Sequence, residues 1–236
     1  METEFYKIRR LPPYVFAEVN AMKAKARATG DDIIDFGMGN PDFPTPPHIV
    51  DKLTETVRDP RTHRYSESRG IKGLRRAIAG YYGRRFGCEI DPEREAVVTL
   101  GSKEGLANLA QAISSPGDVM MVPNPSYPIH QFGFIIAGAA VRNIPVRTDE
   151  TFMAALERAV VHSVPKPTAL VLNYPNNPTT EVADLDFYGQ VVEFCRHHGI
   201  YILSDVAYAE IYLMATRRPR CCRSPAPATS RSSSRR

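Results

Sequence analysis

The sequence predicts an α/β fold with a mostly parallel sheet and helices on both of its faces. From about residue 96 onward, short apolar segments alternate with segments of helical periodicity. The short segments are apolar throughout, which is typical of strands buried on both faces. Polar segments rich in Gly, Pro and Asn follow several of these strands, at the end where sheets of this kind bind ligands. The candidate functional residues are therefore expected just after the strands.

The apolar segments predict five strands, at 96–100, 119–123, 141–146, 169–175 and 201–208. Helices are predicted at 14–29, 48–57, 72–86, 129–139 and 151–161. Two more helices follow from apolar residues spaced at i, i+3, i+4 and i+7. These residues are Leu106, Leu109, Ala110 and Ile113 in the first and Tyr188, Val191, Val192 and Cys195 in the second.

The composition predicts a globular protein of the cytoplasm. Hydrophobic residues make up 43% of the 236 residues, enough for a buried core. No apolar segment reaches the roughly 18 residues of a membrane span, and the N-terminus lacks the apolar stretch of a secretory signal. The four cysteines show no paired spacing with one another or with histidine. Neither a membrane partner nor a metal site is therefore expected.

The positive charge of the chain is concentrated at its end. Residues 214–236 contain seven arginines and no acidic residue, whereas the whole chain has a formal net charge of +4. Subtracting those seven charges from +4 leaves residues 1–213 with a net charge of −3. The main part of the chain is mildly acidic, so nucleic acid is not an expected partner. A nucleic-acid binder would have to use the terminal segment alone.

Two motifs that follow strands suggest a ligand site but are ambiguous by themselves. GSKEG, residues 101–105, opens a helix whose first amide groups could hold a phosphate. The same residues are also typical of an ordinary turn in which Ser102 is the N-cap of the helix. YPNNPTT, residues 174–180, holds Asn176 and Asn177 in a loop bounded by prolines, and Asn-Pro turns are common.

Two further strands carry a candidate residue, a tyrosine just after one and an aspartate near the end of the other. Tyr127 lies in NPSYPIH, where it could pack against neighbours or contact a ligand. Asp205 lies in YILSDVAY, near the end of a buried strand. A carboxylate there requires a positive partner or hydrogen-bond donors, because unpaired burial costs several kcal/mol. A protonated pyridine nitrogen would meet that requirement, and Tyr208 lies one turn onward. A position of Asp205 as the cap of a following helix would meet it as well.

Six motifs together resemble class I pyridoxal-phosphate-dependent aminotransferases. In order they read GMGNPDFPTP, YSESRGIKGLRRAIAGYY, TLGSKEGLAN, PNPSYP, NYPNNPT and SDVAYAEIY. The opening RRLPPYVFAEV is similar to alanine (glutamate–pyruvate) aminotransferases and to relatives acting on LL-diaminopimelate. The resemblance covers residues 1 to about 213. It implies pyridoxal 5′-phosphate as cofactor, an amino acid such as alanine and a 2-oxo acid as substrates, and a homodimer.

The resemblance also implies a role for individual residues. Ser102 and Lys103 would bind the cofactor phosphate, and Tyr127 would stack on the pyridine ring. Asn177 and Tyr208 would hydrogen-bond the 3′-oxygen of the ring, and Asp205 would pair with its protonated nitrogen. Gly39 would lie beside the substrate carboxylate. Tyr65 would reach the phosphate bound to a neighbouring subunit.

The implied architecture is a partial transferase of fold type I, without the last strands of the large domain and without the C-terminal small domain. Residues 1–47 would form an N-terminal arm and substrate loop, and residues 48–213 part of the cofactor-binding domain. Residues 214–236, a basic low-complexity segment, suggest a frameshift or truncation, with a disordered tail as the alternative.

The sequence departs from the family pattern at two points. Thr180 stands where the family often has Gly, so a positive φ there would strain a β-branched residue. The lysine that forms a Schiff base with the cofactor is expected beyond Asp205 and is not found, so no catalytic residue is assigned. The chain is expected to be an inactive aminotransferase. The alternative is a non-catalytic module that keeps the cofactor pocket or serves dimerisation.

Overall fold

The computed structural model describes residues 5–37, 39 and 43–211. The chain divides into two compact units. The first unit is Leu11–Glu67, and the second combines the residues up to Arg10 with those from Ser68 onward. The predicted domain limits, 1–47 and 48–213, stay predictions. The predicted basic segment 214–236 lies outside the described residues.

The first unit and the start of the chain are helical. The helices are α1 (Tyr6–Arg9), α2 (Val15–Ala28), α3 (Pro47–Val57) and a short 3₁₀ turn (Pro60–Thr62). Proline at the first position of α3 fits there because that position needs no amide hydrogen. Of the described helices, none has the length and apolar character needed to cross a membrane.

The second unit alternates helices with strands, as predicted. In chain order its elements are α4 (Lys72–Phe86), α5 (Ser102–Ile113), β1 (Val119–Asn124), α6 (Ile129–Ala137), β2 (Ala140–Pro145), α7 (Glu150–His162), β3 (Pro167–Asn173), α8 (Leu185–His198) and β4 (Tyr201–Asp205). The four strands form one sheet in the order β2-β1-β3-β4, and every pair is parallel. The predicted parallel α/β fold is confirmed.

Helices cover both faces of the sheet because alternate strand residues point to opposite sides. Met121 and Leu170 belong to a core that includes buried residues of α7 and α8, such as Phe152 and Tyr188. Met120 and its neighbours on the other face pack instead with α5 and α6. Strands buried on both faces need apolar residues at every position, which explains the uninterrupted apolar runs in the sequence.

The prediction of a strand at 96–100 is wrong for this structure. Residues 96–100 form no strand, and the side chains of Val97 and Leu100 are exposed. One backbone hydrogen bond joins the Val98 amide to the Arg69 carbonyl. An apolar β-type sequence becomes a strand only when a neighbouring strand pairs with its backbone. Within the described residues, the sheet ends at β4 and no strand pairs with 96–100.

Candidate active site

The strand order reverses between β1 and β3. The chain passes from β1 outward to β2, crosses back to β3 and continues to β4. Helices leave the sheet in opposite directions on the two sides of such a reversal, and the crevice between them binds ligands in α/β sheets. The segments that follow β1, β3 and β4 therefore define the candidate site.

Asp205, the last residue of β4, pairs with His130 near the start of α6. His130 Nε2 lies 2.9 Å from Asp205 Oδ2. The imidazole is fully buried, whereas 18% of the aspartate side chain is exposed. An ionised carboxylate only accepts hydrogen bonds, so Nε2 carries the hydrogen of this contact. The pair gives Asp205 the positive or donor partner that its position requires.

The pKa of Asp205 lies below its ordinary value. The hydrogen bond from His130 lowers the pKa most, against the raising effect of burial, and the electrostatic effect of His130 adds to the lowering. The Ala207 amide, which donates to Asp205 Oδ1 over 3.1 Å, lowers it further. A turn over residues 207–210 follows Asp205 instead of a helix, so its interpretation as a helix cap is wrong. The result is a negative charge, partly open to solvent, that can pair with a cationic ligand atom.

Hydrogen bonds connect Asp205 to Tyr208 through the loop after β3. Asn173 Nδ2 donates to the Asp205 carbonyl over 3.1 Å, and Asn173 Oδ1 accepts from the Asn177 amide over 3.0 Å. Asn177 Nδ2 donates to the Tyr208 hydroxyl over 2.9 Å. Because the hydroxyl oxygen accepts this bond, its own hydrogen can be donated to another oxygen. The structure thus brings Asn177, Asp205 and Tyr208 together.

The loop that carries Asn177 contains a residue in the left-handed region. Thr180 has a φ of 61°, and it is the one positive-φ residue other than glycine among the described residues. The Asn176 side chain stabilises the loop by accepting from the amide and the hydroxyl of Thr179, over 3.1 and 2.8 Å. The Thr180 amide donates to the Asn176 carbonyl. The positive φ considered from the sequence is therefore present, on a β-branched residue that disfavours it.

The N-terminus of α5 lies beside the tyrosine that follows β1. Gly101 is the N-cap of α5, and its φ of 86° with ψ of 160° suits only glycine. Ser102 is the first helical residue, so the interpretation of Ser102 as the N-cap is wrong. The first amide groups of a helix form its positive end. Lys103 Nζ lies 5.4 Å from the centroid of the Tyr127 ring, which adds a second positive group there.

A cavity of about 630 Å³ joins the start of α5 to the end of β4. Both Ser102 and Asp205 line it, together with residues of α4 and β3. Ser204, which also lines the cavity, has a buried hydroxyl oxygen with no hydrogen-bond partner among the described residues. None of the described residues that line the cavity is a lysine. The cavity is mostly apolar, and its lining includes the Asp205 carboxylate and the first residue of α5.

Two predicted site residues belong to the first unit. The Tyr65 side chain is fully exposed. A side chain added at Gly39 would meet no atom within 4 Å. Both residues lie in a different unit from Asp205, and their predicted roles stay predictions.

A family model described as "Aminotransferase class I and II" matches residues 31–234. The chain belongs to this family. The matched range extends past the motifs quoted above, which end near residue 213. Among solved structures, a single mutant of Thermus thermophilus aspartate aminotransferase superposes with a TM-score of 0.84 at 29% identity, over 94% of this chain and 58% of that chain. The fold expected from the resemblance is thereby confirmed.

Curated relatives include the kinds of enzyme named above. AatC of Rhizobium meliloti (strain 1021), named as an aminotransferase, is 66% identical over 89% of this chain and 52% of its own length. Glutamate-pyruvate aminotransferase AlaC of Escherichia coli (strain K12) is 51% identical over 89% of this chain and 51% of its own length. LL-diaminopimelate aminotransferase of Desulforudis audaxviator is 41% identical, over 92% and 55% respectively. The chain spans about half the length of these relatives.

Members of this family use pyridoxal phosphate. The described residues fit that group chemically. Asp205 offers a carboxylate to a protonated ring nitrogen, and Asn177 and Tyr208 offer polar hydrogens to a phenolic oxygen. The start of α5 and Lys103 offer positive groups to a phosphate.

The sequence did not assign two residues that the structure brings into the site. In the sequence, His130 lies in the NPSYPIH segment, which assigns it no role, and Asn173 lies in the strand predicted at 169–175. His130 contacts a residue 75 positions away, and Asn173 one 32 positions away. The sequence offers one general signal for such a contact, because a buried aspartate requires a hydrogen-bond donor and His130 follows another strand of the same sheet.

Proposed function

We propose that the described residues form the cofactor half-site of an aminotransferase that moves an amino group between an amino acid such as alanine and a 2-oxo acid. The observation that carries this proposal is the ionised Asp205, held by His130 in the same cavity as the start of α5. Bound pyridoxal phosphate supplies an electron sink for amino-acid chemistry. In this proposal Asp205 keeps a proton on the ring nitrogen, which that chemistry requires.

The other residues are proposed to fix the ring in place. Asn177 and Tyr208 donate hydrogen bonds to its 3′-oxygen, which their mutual contact supports. Tyr127 stacks on the ring, while Ser102 and Lys103 bind the phosphate. The 5.4 Å between the Lys103 ammonium and the Tyr127 ring supports a common location for these roles.

The remaining proposed roles concern the substrate and a second subunit. Gly39 lies beside the substrate carboxylate, and Tyr65 binds the phosphate in a neighbouring subunit of a homodimer. Full exposure of Tyr65 agrees with a partner outside its own chain. The protein is proposed to act in the cytoplasm. Alanine is proposed as the amino donor in preference to LL-diaminopimelate. The reason is that this chain is 51% identical to the glutamate-pyruvate enzyme and 41% identical to the diaminopimelate enzyme.

The 236-residue chain is proposed to bind the cofactor without a covalent bond and to lack turnover. Among the described residues that line the cavity beside Asp205 there is no lysine, and Lys103 is proposed to bind phosphate. Loss of a positioned proton-transfer group typically costs about 10²–10⁴-fold in rate. A non-catalytic pocket is the second candidate, favoured by the same observation.

Uptake of pyridoxal phosphate by the purified 236-residue chain tests the proposal. Equilibrium dialysis with detection by absorbance gives the dissociation constant. Asp205→Asn should weaken binding by about 10- to 100-fold, because it removes a hydrogen bond between charged groups. Asp186→Asn is the matched control, since Asp186 is an exposed carboxylate in the first turn of α8. No uptake by the unchanged chain, or equal binding by Asp205→Asn, would refute the assigned pocket.

A further inference from the structure

Glu210, two residues beyond Tyr208, is bound to α4 by two hydrogen bonds. Arg85 Nε donates to Glu210 Oε1 over 3.0 Å, and the Tyr81 hydroxyl donates to the same oxygen. These contacts join residues separated by 125 and 129 positions. They attach the segment after β4 to a helix that comes much earlier in the sequence.

The same face of α4 forms a wall of the candidate site. Ile78, Tyr81, Tyr82 and Arg85 are spaced at i, i+3, i+4 and i+7, which places them on one side of the helix. The first three line the cavity that Asp205 also lines. The fourth, together with Tyr81, contacts Glu210. The position of Glu210 is therefore linked to the wall of the cavity.

The turn that carries Tyr208 is held at both ends. At its start, the Ala207 amide donates to Asp205 Oδ1 over 3.1 Å. In its middle, Ala209 is buried and its amide donates to the Val206 carbonyl over 3.0 Å. At its end, Glu210 contacts α4. Because Tyr208 lies between these attachments, the place of its hydroxyl depends on both of them.

The attachment through Arg85 involves a buried charge. The Arg85 side chain is 6% exposed, and its Nη2 is buried with no hydrogen-bond partner among the described residues. Glu210 supplies a carboxylate to this guanidinium and is itself half exposed. Removing one member of such a pair leaves the other charge buried without compensation. The contact therefore favours one position of the turn over others.

We propose that Glu210 is a positioning residue for the cofactor site, which fixes the Tyr208 turn against Tyr81 and Arg85. With the turn fixed, the Tyr208 hydroxyl meets the 3′-oxygen of pyridoxal phosphate together with Asn177. Glu210 itself touches neither cofactor nor substrate. This inference rests on the proposed function and adds to it a residue outside the pocket.

A double-variant comparison in the 236-residue chain tests whether Glu210 acts through Tyr208. Glu210→Ala and Tyr208→Phe should each weaken binding of pyridoxal phosphate by roughly 3- to 10-fold, the effect of one hydrogen bond. The double variant should bind no more weakly than Tyr208→Phe alone, because both changes disable the same contact. Glu193→Ala, an exposed carboxylate of α8, is the matched control and should leave binding unchanged.

Hydrogen–deuterium exchange without cofactor gives an independent measurement. Glu210→Ala should accelerate exchange of the amides at 206–211 and leave those of β1 unchanged. Glu210→Gln retains an oxygen that Tyr81 and Arg85 can donate to, and should restore much of the protection.

Three results would overturn the positioning role. They are additive losses in the double variant, unchanged exchange at 206–211 in Glu210→Ala, and a uniform rise in exchange across the sheet. Failure of the unchanged chain to bind pyridoxal phosphate would remove the proposed function, and with it the cofactor part of this inference. In that case, faster exchange at 206–211 in Glu210→Ala would still show that Glu210 holds the turn in place.

Discussion

At the scale of single residues, the candidate site depends on a carboxylate whose charge is maintained by a buried histidine. His130 is held inside the protein by α6 and the sheet, and Asp205 is brought to it by β4. Because its pKa is lowered, a carboxylate in this arrangement is ionised near neutral pH without a bound cation, which is the state that the proposed contact with a positively charged ring requires.

The lowered pKa of Asp205 predicts how stability changes with pH. Since the folded-state pKa lies below the ordinary value of 3.8, ionised Asp205 stabilises the fold fully above that value. This contribution is lost as the pH falls through the lower folded-state pKa. Urea unfolding of the chain and of Asp205→Asn should therefore give free energies that differ most near neutral pH and converge below pH 3.8. A difference that is constant from pH 6 to pH 3 would contradict the assignment.

Thr180 provides a prediction about backbone strain. Its left-handed conformation costs about 1–2 kcal/mol for a residue with a side chain. Glycine removes that strain but loses about 0.5–1 kcal/mol through its greater freedom when unfolded. Thr180→Gly should therefore raise the free energy of unfolding by up to about 1.5 kcal/mol, measured by urea denaturation. Thr179→Gly should lower it, because it removes the hydroxyl that binds Asn176. Equal effects of the two changes would be inconsistent with this account.

Individual site residues could be predicted only as far as their motifs are local. Asp205 ends a strand and Asn177 and Tyr208 each follow one, and the parallel order of the strands brings the three together as expected. The contact between His130 and Asp205 depends on the lateral order of β1 and β4, with β3 between them. A sequence pattern along one segment does not contain that order.

At the scale of elements, helices were predicted more reliably than strand ends. The predicted helix 72–86 has the observed limits, α2 is one residue shorter than predicted at each end, and α3 begins one residue earlier than predicted. Helical periodicity and capping are local properties. The prediction of a strand at 96–100 is wrong because a strand requires a partner strand, and that pairing is not a local property of the sequence. The strand predicted at 201–208 ends at Asp205, where the turn held by Glu210 begins.

Gly101 connects the unpaired segment 96–100 with α5 and predicts the effect of a mutation. Its backbone conformation is one that residues with side chains avoid, although no atom lies within 4 Å of an added Cβ. Gly101→Ala should therefore lower the free energy of unfolding by about 1–3 kcal/mol through the backbone alone. Gly189→Ala, inside α8 with equally open surroundings, should instead raise it by about 0.5–1 kcal/mol. Thermal or urea unfolding distinguishes these outcomes, and destabilisation by both would contradict the argument.

At the scale of the whole molecule, the described residues contain a candidate cofactor pocket and a sheet that ends at β4. The matched part of this chain covers about half of the length of the curated relatives. The resemblance implies that further strands pair alongside β4 and that one of them brings the lysine. Within the described residues β2 and β4 are the edges of the sheet, and an unpaired strand edge tends to associate with other chains.

A chimera measures most directly whether these residues build an aminotransferase site. Residues 1–211 would replace the matching half of the E. coli glutamate-pyruvate aminotransferase, to which the chain is 51% identical over 210 residues. The purified chimera should form pyruvate from alanine and 2-oxoglutarate, whereas the 236-residue chain alone should form none. Asp205→Ala in the chimera should lower kcat by at least about 100-fold while leaving it folded. A folded chimera without turnover, or one whose rate survives Asp205→Ala, would contradict the account.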